Sequence, residues 1–67
     1  MKRKTYRATI VNNGKVTTML VGGYNKKSVK KEVTDFFMKT KQIEDFRKFE
    51  VYLTEVIYIN GDYYDAE

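Results

Sequence analysis

The sequence predicts an α+β fold. The expected form is a two-layer sandwich of ββαβ(β) order, with one amphipathic helix packed on one face of a mainly antiparallel three- or four-stranded sheet. Three observations predict it. Two Asn-Gly pairs, Asn13-Gly14 and Asn60-Gly61, lie between segments rich in β-branched and aromatic residues. Asn-Gly tolerates the positive φ at both central positions that a type I′ hairpin turn requires. Between these hairpin signals, one segment carries apolar residues at helical spacing.

The first strand is read at residues 6–11, Tyr-Arg-Ala-Thr-Ile-Val, and its return at residues 16–21, Val-Thr-Thr-Met-Leu-Val. A two-residue turn at Asn13-Gly14 sets Ala8 opposite Met19 and Val11 opposite Val16. One face then carries Tyr6, Ala8, Ile10, Thr17, Met19 and Val21, and is the expected core side. A three-residue loop would shift the register by one and turn Val16 and Leu20 inward instead. Gly22-Gly23 ends the strand, and Asn25 has the chemistry of an N-cap. A helix over residues 26–39 places Val29, Val33, Phe36 and Phe37 on one face, with Thr40 continuing the stripe. The phase is lost at Ile43 and Phe46, so residues 41–47 are expected to form a turn or a short second helical piece. Residues 49–53 alternate as a strand should, and Ile57 and Ile59 keep the parity. Glu55 breaks it, which calls for a bulge or a switch of exposed face. Asp62-Tyr63-Tyr64-Asp65 is a candidate fourth strand. A parallel pairing of the third strand with the first would require a right-handed crossover.

At 67 residues and no linker, the chain is one small domain, with residues 1–4 as a basic arm and residues 62–67 as an acidic tail or short last strand. It has no cysteine, histidine, proline or tryptophan. A disulfide scaffold, a thiolate metal site and a cysteine nucleophile are thereby excluded. Ser28, the only serine, has no histidine to activate it. The carboxylate pairs Glu44/Asp45 and Asp62/Asp65 sit near turns, and a chain this short can hardly enclose a substrate pocket of ~300 Å³. The expectation is a non-enzymatic binding protein with no cofactor, no metal and no small-molecule substrate. No apolar run reaches the ~18 residues of a membrane span, and no apolar segment follows the basic start as in a signal peptide. A cytoplasmic location is expected. Abundant Lys, Asn, Ile and Tyr with scarce Pro and Ala suggest an AT-rich coding genome, such as that of a low-GC bacterium or its phage.

The net charge of +4 hides a strong asymmetry. Residues 1–41 carry eleven basic groups against two acids, a balance of +9, and residues 42–67 carry two against seven, a balance of −5. Helices favour acids in their first turn, where the macrodipole is positive. Here the first two turns carry Lys26, Lys27, Lys30 and Lys31, with Ser28 among them. An anion at that terminus would be favoured by the lysines and by the free N–H groups alike. Gly22-Gly23 just before it would allow close backbone approach. With the arm Lys2-Arg3-Lys4, these residues form a candidate contact to a nucleic-acid backbone. A solvated lysine face that keeps a small protein dispersed accounts for the same residues more plainly.

A protein partner is the alternative. The sheet face away from the helix would carry Arg7, Thr9, Val11, Val16, Thr18, Leu20, Tyr52 and Tyr58. Tyr63 and Tyr64, set among Asp62, Asp65 and Glu67, form an acidic aromatic edge that suits protein better than phosphate. On either reading the chain is a monomer or a homodimer.

Overall fold

The two Asn-Gly pairs form the turns that their chemistry favours. Asn13 and Gly14 have φ of 52° and 84°, and Asn60 and Gly61 have φ of 50° and 86°. The computed structural model describes residues 2–66. Met1, counted above in the arm, and Glu67, counted in the acidic tail, lie outside the described residues. Lys4–Asn12 (β1) and Lys15–Gly23 (β2) form the first hairpin, and Lys26–Lys39 is the helix α1. A 3₁₀ turn at Phe46–Lys48 leads into Phe49–Ile59 (β3), which turns into Asp62–Asp65 (β4). Lys4, read above as part of the arm, is the first residue of β1.

The sheet order is β2-β1-β3-β4. All three pairings are antiparallel, so no parallel crossover arises. Ala8 pairs with Met19 and Val11 with Val16, which is the two-residue register. β1 is central, and its alternate residues Tyr6, Ala8 and Ile10 are buried. They meet Val29, Val33 and Phe37 of α1 and Val51 of β3, with Met19, Val21, Ile43, Phe49 and Leu53 packed around them. Ile10 and Val29 are fully enclosed. Burying an aliphatic side chain contributes ~1.5–3 kcal/mol, so these few residues supply most of the stability of so small a domain.

Asn25 caps α1, its Oδ1 accepting from the Ser28 N–H at 2.8 Å. Thr40 ends the helix rather than extending its stripe. It is exposed, and its hydroxyl donates to the Phe36 carbonyl at 2.9 Å. Phe36 differs from expectation as well: it is 53% exposed. It sits over β2, sharing a hollow of about 240 Å³ with Met19, Val21, Glu32 and Val33. Among the described residues, no strand lies beyond β2. The ring therefore overhangs the sheet edge instead of entering the core.

β3 has no bulge, and its register to β1 and then β4 is unbroken. Burial changes parity instead. Val51 is buried on the helix side, but Val56, only 3% exposed, has the opposite parity and lies outside the core cluster. The Arg7–Asp65 ion pair (2.7 Å) joins β1 to β4 across β3 at this point. Pairing with β1 ends at Val56, and the remainder of β3 pairs only with β4. The resulting two-stranded ribbon leaves Ile57, Tyr58, Ile59, Tyr63 and Tyr64 exposed in a molecule 38 Å long.

Candidate nucleic-acid interface

The hairpin brings the chain start beside the helix start. Lys4 pairs with Gly23, two residues before the N-cap of α1. Lys2, Arg3 and Lys4 thus occupy the same end of the molecule as Lys26 and Lys27. On α1, Lys26, Lys27 and Lys30 border a hollow of about 220 Å³ with Val51 and Leu53, so they line the β3 flank of the helix. Lys30 and Thr34 border a second hollow with residues 49–52 of β3. Lys31, one turn past Lys27, is exposed and continues the same helix surface toward solvent. The helix acids stand elsewhere: Glu32 and Asp35 border a third hollow with Phe36, Met38 and Lys39. One flank of the helix is therefore basic and the other is mixed.

Not every candidate cation is available. Lys4 Nζ lies 3.5 Å from Glu55 Oε1. Arg7 is engaged by Asp65. Among the described residues, no ion pair engages Lys27, Lys30 or Lys31.

The glycines before the helix serve packing. A Cβ on Gly22 would come within 2.8 Å of Arg3 Nε and 2.9 Å of its Nη2. A Cβ on Gly23 would overlap the Val29 side chain. Their missing side chains are thus filled by Arg3 and Val29, not held open for an anion. Ser28 is likewise spent on the cap: its N–H goes to Asn25 Oδ1 and its hydroxyl to the Asn25 carbonyl at 3.3 Å. What the site offers a phosphate is above all its exposed lysine side chains.

The alternative residues divide between faces. Arg7, Thr9, Thr18 and Tyr52 share the outer face, since Thr9 pairs with both Thr18 and Tyr52. Tyr58 and Tyr63 are cross-strand neighbours on that face, with ring centroids 5.0 Å apart. Tyr64 has the opposite parity. The Tyr52 hydroxyl donates to the Glu50 carboxylate, and this bond and the negative charge raise the phenol above its ordinary pKa. The Lys4–Glu55 and Arg7–Asp65 pairings, the packing role of Gly22 and Gly23 and the overhanging Phe36 are not visible in the sequence. All depend on which elements the fold makes neighbours.

Among the described residues, no group of three or more acidic side chains is placed to hold a metal ion. No helix there is long and apolar enough to cross a membrane. Comparison with known proteins finds no matching family model, no matching curated protein and no matching solved structure.

Proposed function

We propose that this protein binds the phosphate backbone of a nucleic acid, using Lys26, Lys27, Lys30 and Lys31 of α1 together with Lys2 and Arg3. One observation carries the reading: lysines that the helix dipole disfavours are gathered on one flank, at the end where the basic chain start also lies. Such contacts position a protein on a duplex without reading its sequence. A nucleic-acid partner accords with the cytoplasmic location expected from composition. The test is fluorescence anisotropy with labelled duplex DNA and RNA across a salt series. Binding should weaken linearly on a log–log plot, with a slope near −0.9 per phosphate neutralised on DNA.

A second reading has its own support. The β3–β4 ribbon exposes Ile57, Tyr58, Ile59, Tyr63 and Tyr64 together, and Tyr is favoured at protein interfaces. In that reading a protein partner takes the ribbon and the outer sheet face. Recovery of one defined protein after nuclease treatment, lost on Tyr58→Ser/Tyr63→Ser, would favour it over the first.

A further inference from the structure

The two edges of the sheet are unlike. β4 is four residues long with an aspartate at each end, which is how natural edges are protected. β2 is nine residues long and has no bulge, no proline and no charge after Lys15. We infer that β2 pairs with β2 of a second copy, antiparallel about a two-fold axis at Met19, to give a continuous eight-stranded sheet.

The register follows from the turn. In a two-residue hairpin the closing pair, Asn12 with Lys15, exchanges hydrogen bonds, and such pairs alternate along the ladder. Residues 15, 17, 19, 21 and 23 of β2 therefore bond inward to β1. Val16, Thr18, Leu20 and Gly22 direct their N–H and C=O groups to the open edge. An axis at Met19 sets Val16 against Gly22 and Thr18 against Leu20 of the partner. Both members of each pair are open-edge residues, so all four residues become satisfied on each copy. The whole strand is used, both open edges are consumed, and the assembly closes as an isologous dimer.

The helix layer supports the same partner. α1 lies over β1 between β2 and β3. The two-fold axis keeps both helices on one face, with three strand spacings of ~4.8 Å, or ~14 Å, between them. That exceeds the 8–10 Å of close helix packing and leaves a channel for side chains. Phe36 overhangs β2 into this channel and would meet its own counterpart above the Met19 pair. Glu32 and Lys39 lie on the same flank, to either side of Phe36 along the helix. With the helices antiparallel, Glu32 of one copy faces Lys39 of the other. Lys26, Lys27 and Lys30 are on the opposite flank, away from this channel.

Sedimentation equilibrium of the purified chain tests this. The expected mass is about twice 8.0 kDa at high micromolar concentration. Thr18→Pro removes only an outward N–H, which edge strands tolerate, and should leave a folded monomer. Leu20→Lys, at an exposed edge position, should do the same. Glu32→Lys should weaken the dimer at least several-fold, and Glu32→Lys/Lys39→Glu should restore it. A native chain that stays monomeric, including one that instead takes up an added extended peptide, overturns the inference. So does a higher oligomer, or a dimer that survives both Thr18→Pro and Leu20→Lys in folded protein.

Discussion

Asn25, Gly23 and Asp45 are small residues in loops or at strand ends, and each fixes a local geometry that a substitution exposes. Asn25 satisfies one of the orphan N–H groups of α1. Asn25→Ala should cost ~1 kcal/mol, read as a lower urea midpoint with unchanged m-value. Gly23→Ala forces a Cβ against Val29, which is fully buried and cannot move aside. Overpacking of this kind costs ~1–3 kcal/mol, so the same measurement should show a loss at least as large as that of Asn25→Ala. Asp45 caps the 3₁₀ turn, and hydrogen bonds from the Arg47 side chain and N–H hold its carboxyl below the ordinary 3.8. A lowered folded-state pKa contributes stability that is present above about 3.8 and is lost as the pH falls through the lower folded value. Asp45→Asn should therefore flatten that part of the acid limb in a stability–pH profile. An acid limb identical to that of the native chain would contradict the pairing. The cap, the turns and the helix bounds are legible in the sequence because they depend on residues within one turn of one another. The packing role of Gly22 and Gly23 is not legible, since Arg3 and Val29 reach them only through the fold.

Among the elements, α1 shows most clearly where local stability and the proposed function diverge. A lysine in the first turn opposes the dipole, and an acid there is worth ~0.3–1 kcal/mol. Lys27→Glu should thus leave the helix as stable or slightly more stable in thermal melts, while weakening nucleic-acid binding. A variant that loses stability and binding together would speak for a structural role of Lys27 instead. The helix period announces Val29, Val33 and Phe37, and it also announces Phe36, which overhangs the β2 edge. Periodicity gives the angle of a side chain around its helix but not the width of the sheet beneath. β3 carries a similar lesson. Its broken alternation at Glu55 is visible in sequence, but its cause is not. The strand outruns β1, and Arg7 and Asp65 span it from its two neighbours at Val56.

At the scale of the whole molecule, the opposed halves of the charge pattern are drawn partly together by the sheet. β1 takes β3 as its neighbour, so Lys4 meets Glu55 and Arg7 meets Asp65. The +9 segment therefore does not act as one unit. Lys27, Lys30 and Lys31 of α1 remain directed outward on the basic flank, while Lys39 lies on the other. The segregation of charge was readable residue by residue, whereas the pairings that subtract from it needed the strand order. Phosphate contact by this flank can be read from the salt dependence of duplex DNA binding by the native chain and by Lys27→Gln/Lys30→Gln/Lys31→Gln. The magnitude of the slope should fall by ~0.9 for each substituted lysine that contacts a phosphate, with affinity reduced uniformly across DNA sequences. No binding by the native chain at ~50 mM salt, or an unchanged slope in the triple variant, would contradict it.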